Sequence, residues 1–185
     1  MEYKMKFAGL ERALPLCPLN ENLYIGAFVM FGDVELTVAA ASELLKIAPE
    51  YDVMITAESK GIPLAYEMAR QRGGERWLLA RKAPKLYMRN ILKCEVRSIT
   101  TDHVQKLYLD GEDAELMRGK RILIVDDVVS TGESLRAIEE LVKAAGAHIA
   151  GQMCILAEGD TTKRGDIIYL EPLPLFDSEG EPIKG

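Results

Sequence analysis

The chain has 185 residues, of which 48% are hydrophobic and 28% are charged. This length fits one ordinary domain with enough apolar residues for a core, and the composition is that of a soluble globular protein. The formal net charge of −6 argues against nucleic-acid binding, because neutralising phosphates requires clustered lysines and arginines.

Cysteine content and apolar segments restrict the class of protein further. The three cysteines lie far apart, none forms a CxxC pair, and there are two histidines, which predicts neither a zinc site nor a disulfide framework. No apolar run approaches the roughly 20 residues of a membrane-spanning helix, and the N-terminus lacks the apolar stretch of a signal peptide. We therefore expect a reduced, cytoplasmic protein that does not bind a membrane.

Apolar periodicity predicts strands that alternate with helices. In chain order, the predicted elements are a helix over 36–48, a strand over 52–56, a helix over 63–71, strands over 76–80 and 121–125, a helix over 134–145, and strands over 148–157 and 167–170. Segments 96–99 and 105–109 are predicted to form a hairpin or a mobile flap. The order predicts an α/β fold with a twisted, mainly parallel sheet flanked by helices.

Ligands of such sheets bind where strands end and loops lead into helices, which makes the loop at 126–134 a candidate site. Asp126 and Asp127 follow an apolar strand that we expect to end at Val125, and a Ser-Thr-Gly turn then leads into a helix. Free backbone N–H groups at a helix start favour an anion, whereas two carboxylates would repel a phosphate alone. A sugar phosphate satisfies both features, because ribose hydroxyls can donate hydrogen bonds to the acids.

Helix capping by the same acids and hydroxyls is the alternative interpretation of this loop. A Walker-type phosphate loop is excluded, because no Gly-Lys-Ser/Thr follows. The absence of a G-x-G-x-x-G turn argues in the same way against a Rossmann-type nucleotide binder.

A second candidate anion site lies at 57–62, where another predicted strand leads into a helix. Ser59, Lys60 and Gly61 occupy this loop, and a basic stretch with Arg81, Lys82 and Lys85 follows the next strand. Cations beside a helix start suit a second phosphate group. The alternatives are a solvated lysine at the helix start and an exposed basic turn.

Ile122–Ser134 resembles, position by position, a signature of type I phosphoribosyltransferases that binds 5-phosphoribosyl-1-pyrophosphate (PRPP). The pattern is four apolar residues, two acids, two apolar or small residues, and then Ser-Thr-Gly-x-Ser. The resemblance covers about residues 25–175. It implies a single domain over 1–185 with a small hood at about 1–35 and a flexible flap at about 84–110. It also implies a homodimer that transfers the phosphoribosyl group from PRPP to a purine base.

The resemblance implies a role for each candidate residue. Asp126 and Asp127 would bind the ribose, and Asp127 is the candidate catalytic group, stabilising charge on the ring or handling the purine proton. The 5-phosphate would bind Val129, Ser130, Thr131, Gly132, Glu133 and Ser134, and the pyrophosphate would bind Ser59, Lys60, Gly61, Arg81, Lys82 and Lys85. PRPP and pyrophosphate would carry Mg²⁺, so no direct metal ligand from the protein is expected.

Sequence signals for the base are divided. Met30-Phe31-Gly32-Asp33-Val34 is similar to the Phe-Arg-Asp stretch of adenine phosphoribosyltransferases, which implies that Phe31 stacks on the base, although Gly32 replaces the arginine. The loop at 58–61 is also similar to those enzymes, whereas 97–103 and 145–151 look closer to xanthine phosphoribosyltransferases. We expect adenine slightly ahead of xanthine or hypoxanthine. An orotate-type enzyme remains open, because the flap segment does not distinguish it. A PRPP-sensing regulator without catalysis also remains open, because Gly61–Ala65 resembles a helix start in purine repressors.

Overall fold

The computed structural model describes residues 1–74, 76–97 and 104–183. The strands in these ranges are β1 (Glu2–Phe7), β2 (Leu10–Pro18), β3 (Tyr24–Gly26), β4 (Val53–Ala57), β5 (Leu78–Ala80), β6 (Leu92–Arg97), β7 (Val104–Leu109), β8 (Arg121–Val129), β9 (His148–Glu158), β10 (Ile167–Leu173) and β11 (Leu175–Phe176). The helices are α1 (Val34–Ile47), α2 (Ile62–Arg72), α3 (Gly111–Met117) and α4 (Glu133–Ala144), with a 3₁₀ helix at Gly159–Lys163. No helix in the described ranges combines the length and apolar character needed to cross a membrane.

The core of the fold is a five-stranded sheet in the order β10-β9-β8-β4-β5. Every pairing in this sheet is parallel, and β8 lies at its centre. Ile122 to Val125 of β8 are fully buried, as expected for an apolar strand that is covered on both faces of a parallel sheet. The predicted α/β fold with a parallel sheet is therefore confirmed.

Helices cover both faces of this sheet. On one face, α4 packs its buried residues Leu135, Ile138 and Leu141 against β8 and β9. On the other face, α1 and α2 contribute a second buried cluster that includes Leu44 and Met68. The apolar residues of these three helices recur at three- and four-residue spacing, and their ends lie within two residues of the predicted ones, whereas α3 was not predicted.

The prediction that the central strand ends at Val125 is wrong. β8 continues to Val129, because its backbone stays paired with β9 at Asp126↔Cys154, Val128↔Leu156 and Val129↔Ala157. Backbone pairing does not require apolar side chains, so the two acids belong to the strand and not to a loop. The loop before α4 is therefore short.

A second sheet, in the order β1-β2-β3-β11, was not predicted from the sequence. Its strands β1, β2 and β3 lie within the segment expected to form a hood. The fourth strand, β11, pairs with β3 although it lies about 150 residues later in the chain. Phe7 of β1 and Phe176 of β11 are buried. The hood and single-domain assignments remain predictions.

The predicted hairpin is present and is longer than expected at its start. β6 and β7 pair antiparallel, with Leu92 opposite Leu109, whereas the sequence predicted the first strand only from 96. Tyr108 also exchanges two backbone hydrogen bonds of 2.8 Å with Arg81, which follows β5. Residues 98–103, which carry part of the predicted flap, lie outside the described residues, and the flap remains a prediction.

Candidate functional site

An open cavity of about 250 Å³ lies at the carboxyl ends of β4 and β8. The ends of parallel strands leave backbone groups available to a ligand at this edge. The lining residues are Ala57, Glu58, Ser59, Lys60, Lys82, Asp126, Asp127, Val128, Val129, Ser130, Thr131, Gly132, Glu133, Ser134 and Leu135.

This lining contains most of the residues that the sequence singled out. Gly61 lies directly behind it, because a Cβ atom there would collide with Thr56 Oγ1 and lie 3.1 Å from Asp126 Oδ1. Arg81, Lys85 and Phe31 are not among the lining residues. The structure therefore brings the acid pair, the Ser-Thr-Gly loop, the Ser59–Gly61 loop and Lys82 together, and leaves three candidates outside.

The two acids have different surroundings although they are adjacent in β8. Asp127 is buried, with 1% of its surface exposed, and Lys60 Nζ lies 2.9 Å from its Oδ2 atom. That contact is an ion pair, without the alignment of a hydrogen bond. Asp126 is half-buried, and its Oδ1 atom accepts a hydrogen bond of 2.9 Å from the backbone N–H of Asp127.

Burial raises the pKa of two carboxyl groups at this site. Burial, and next the charge of Asp127, raise the pKa of Asp126 to about 7, while Lys60 opposes the shift. Burial also raises the pKa of Glu158 at the end of β9, again with Lys60 opposing. The ammonium of Lys60 therefore interacts with Asp126, Asp127 and Glu158. Asp126 holds its proton to higher pH than an exposed aspartate.

The loop from Ser130 to Gly132, the candidate anion cradle, contacts residues that follow β9. Gly132 has a φ of +76° and caps α4, a conformation that favours glycine. Thr161 of the 3₁₀ helix donates a hydrogen bond to the carbonyl oxygen of Ser130. Arg164 also lies here, with its Nη1 atom 2.7 Å from where a Cβ atom of Gly132 would stand. These contacts were not predicted from the sequence, because Thr161 and Arg164 lie about 30 positions from the loop along the chain.

Arg81 and Lys82, the first two residues of the basic stretch, have different surroundings. Arg81 Nη1 donates a hydrogen bond of 3.0 Å to Glu58 Oε1, and Arg81 Nη2 donates one of 2.9 Å to Tyr87 Oη. Lys82, the next residue, lines the cavity. Sequence reasoning missed Glu58 as a site residue, although its position beside Ser59 in the candidate loop was a usable signal.

Near the candidate base-stacking residue, the structure shows mainly structural contacts. Phe31 is 49% exposed, whereas Met30 before it belongs to the core. Asp33 caps α1 by accepting from Leu36 N at 3.0 Å, and it pairs with Arg12 of β2 at 2.7 Å. Stacking of Phe31 on a base remains a prediction.

Comparisons with known proteins agree with this geometry. A family profile described as the phosphoribosyl transferase domain matches residues 34–173. A hypoxanthine/guanine phosphoribosyltransferase of Methanothermococcus okinawensis is 31% identical over 164 residues, which cover 82% of each chain. One from Methanococcus maripaludis strain C6 is 32% identical, again with 82% of each chain covered.

Solved structures share the fold at lower identity. Adenine phosphoribosyltransferase of Thermoanaerobacter pseudethanolicus has a TM-score of 0.70 at 20% identity, covering 86% of this chain and 95% of that one. The Saccharomyces cerevisiae enzyme has a TM-score of 0.67 at 20% identity, covering 85% of this chain and 92% of the other.

The fold, the cavity and these matches together define a phosphoribosyltransferase. The chain belongs to the phosphoribosyltransferase family, as an enzyme of the type I fold. Within that family its relatives lie in the purine branch, so the family predicted from the Ile122–Ser134 signature is confirmed.

The close approach at Gly61 predicts a steric effect of substitution. Gly61→Ala places a Cβ atom against Thr56 and Asp126, and overpacking of this kind costs about 1–3 kcal/mol of the free energy of unfolding. Urea unfolding measures the loss. Gly165→Ala is the matched control, because nothing lies within 4 Å of its Cβ position, and a Gly61→Ala protein as stable as this control would contradict the prediction.

The raised pKa of Asp126 predicts a pH-dependent stability. Between the unfolded value near 4 and the folded value of about 7, the folded protein binds more protons than the unfolded one, so stability falls as pH rises. Asp126→Asn removes this loss. We expect the variant to gain stability over the wild type as pH rises from 4 to 7, in urea unfolding at fixed ionic strength.

Asp52→Asn provides a control of opposite sign. Hydrogen bonds from the side chain and backbone of Arg121 lower the pKa of Asp52 to about 2, so its contribution is present above pH 4 and is lost as pH falls toward 2. Asp52→Asn should therefore be less stable than the wild type at neutral pH, and the difference should shrink as pH falls from 4 toward 2. A constant Asp126→Asn difference from pH 4 to 7 would refute the assignment.

Proposed function

We propose that this enzyme transfers the 5-phosphoribosyl group of PRPP to a 6-oxopurine, hypoxanthine or guanine, and releases pyrophosphate. The observation that carries the proposal is the cavity in which Asp126 and Asp127 adjoin the anion cradle before α4. Acids beside an anion cradle suit a phosphorylated sugar, because hydroxyls donate to carboxylates while backbone N–H groups bind the phosphate.

Each part of PRPP has complementary residues in this arrangement. The ribose hydroxyls bind the acid pair, and the 5-phosphate binds the cradle formed by residues 129–134. The pyrophosphate binds the Ser59–Gly61 loop, with Lys82 at the same cavity. As support from a related fold, the adenine phosphoribosyltransferase of Trypanosoma brucei was solved with AMP, pyrophosphate and ribose-5-phosphate, at a TM-score of 0.63 and 18% identity.

Magnesium fits this site as an ion that enters with PRPP. The described residues contain no cluster of three or more His, Cys, Asp or Glu residues that could hold a metal, whereas phosphate oxygens are the ligands with which Mg²⁺ is usually bound in such sites. The ion would neutralise charge on the departing pyrophosphate. Lys60 and Lys82 would add protein charge on the same side.

The reaction breaks the bond between the ribose C1 and the pyrophosphate oxygen, whose electron pair leaves with pyrophosphate. A purine nitrogen forms the new bond to C1 and loses its proton. Asp127, buried and paired with Lys60, is placed to stabilise positive charge that develops on the ribose ring. Asp126, with its pKa raised to about 7, suits exchange of the purine proton near neutral pH.

The choice of base is supported by sequence relatives. The hypoxanthine/guanine enzymes are 31–32% identical over most of the chain, whereas the adenine enzymes are about 20% identical and share the fold. Gly32 also stands where adenine enzymes carry arginine. Adenine is the second candidate, because the stretch 30–34 and the loop at 58–61 resemble adenine enzymes.

A homodimer and a cytoplasmic location are also part of the proposal, on the family resemblance. Neither depends on the geometry of the described site. Sedimentation of the purified protein tests whether it is a homodimer.

A panel of bases tests the activity. The protein with Mg²⁺ and PRPP should release pyrophosphate with hypoxanthine and guanine, and more slowly with adenine, xanthine or orotate, while chelation of Mg²⁺ should stop turnover. Faster turnover with adenine would select the second candidate. PRPP binding without turnover on any base would identify a sensor and refute the enzyme assignment.

Asp127→Asn tests the role of the buried acid. Loss of its charge should lower kcat/KM for PRPP by about 100-fold or more, because a preorganised charge at the reacting centre is removed. Steady-state kinetics with saturating base measures the effect. Glu171→Gln is the control, since it removes an exposed carboxylate on β10. An Asp127→Asn rate equal to that of this control would show that the acid has no such role.

A further inference from the structure

Glu58 lies between the two cationic segments of the proposed pyrophosphate site. It follows β4, and its backbone N–H donates a hydrogen bond of 2.9 Å to the carbonyl oxygen of Ala80 at the end of β5. Its Oε1 atom accepts from Arg81 Nη1, and its Oε2 atom accepts from the backbone N–H of Lys82, each at 3.0 Å. One carboxylate thus fixes both a side chain and the backbone of the basic stretch.

Arg81 is held from several directions. Its guanidinium contacts Glu58 and Tyr87, and its backbone N–H and carbonyl both bond to Tyr108 of β7. Only 23% of its side chain is exposed. The carboxylate of Glu58 neutralises the charge of this guanidinium, and the contact with Tyr87 restricts its position. Arg81 is therefore poorly suited to bind a phosphate as well.

Lys82 has the opposite character. Its side chain is exposed and lines the cavity, whereas that of Arg81 does not. Because Glu58 holds the backbone N–H of Lys82, it also fixes the direction from which the lysine enters the cavity. The two neighbouring cations therefore have separate tasks.

We propose that Glu58 and Arg81 are positioning residues that aim Lys82 at the leaving pyrophosphate, and that Lys82 is the cation of this stretch that contacts it. This inference rests on the proposed function. It replaces the expectation that Arg81 itself binds pyrophosphate. It also gives Glu58, an acid at an anion site, a reason for its position.

The sign of one substitution separates this inference from a direct contact. Glu58→Gln removes a negative charge from an anion site and releases Arg81, so a direct Arg81 contact predicts tighter pyrophosphate binding. The positioning role predicts weaker binding, because an amide cannot accept from both Arg81 and Lys82 with the strength of a carboxylate.

Calorimetric titration with Mg-pyrophosphate provides the measurement, because it needs no base. Lys82→Met should weaken binding about tenfold, the loss of one charge-assisted hydrogen bond. Glu58→Gln and Arg81→Met should each weaken binding by a smaller factor. In the Lys82→Met background neither should have a further effect, because both act through Lys82.

Controls keep the outcome interpretable. The exposed pair Glu115 and Arg118, 2.7 Å apart and outside the cavity, provides Glu115→Gln and Arg118→Met, which should leave binding within twofold of the wild type. Tyr87→Phe is a milder variant, because Tyr87 is largely exposed and touches only Arg81 in this network. It should weaken binding in the same direction as Arg81→Met.

Two results overturn the inference while leaving the proposed function intact. One is tighter binding in Glu58→Gln; the other is an Arg81→Met effect that persists undiminished in the Lys82→Met background. A wild-type protein that fails to bind Mg-pyrophosphate overturns the proposed function and the inference with it.

Discussion

The burial of Asp127 beside the half-buried Asp126, near the carboxyl end of β8, is the constraint on which the rest of the site depends. Asp127 is almost inaccessible to water, and a buried carboxylate is costly unless a cation or hydrogen bonds compensate. Lys60 reaches Asp127 from the neighbouring loop, and Gly61 leaves the room that Asp126 needs. Asp126 in turn holds a proton more tightly, which limits the charge that the strand end must carry.

The parts of this arrangement that follow from local pattern could be predicted. The apolar run before Asp126 predicts a strand buried on both faces, and the spacing of Leu135, Ile138 and Leu141 predicts the helix behind it. Because parallel strands end at one edge, the sequence also placed Lys60 and the acid pair near each other. The strand and the helix need only the neighbours of each residue along the chain, and the proximity of Lys60 to the acids needs in addition only the parallel order of the sheet.

What the sequence could not give depends on partners distant along the chain. β8 runs past its acids because β9 continues to pair with it, which no property of Asp126 reveals. From the sequence, Arg81 is expected to be a free cation, because Glu58 and Tyr108, which bind it in the fold, are distant along the chain. The short strand β3 has too few residues for an alternating pattern, and it is a strand because β2 and β11 flank it.

The pairing of β3 with β11 has a consequence for biosynthesis. Ile25 and Leu175 are paired partners, about 150 residues apart along the chain, and a contact of such separation forms late because its loop closure is costly. During translation, β1, β2 and β3 leave the ribosome long before β11 is made, so the growing chain exposes an unfilled sheet edge. Until β11 fills it, that edge can pair with other nascent chains.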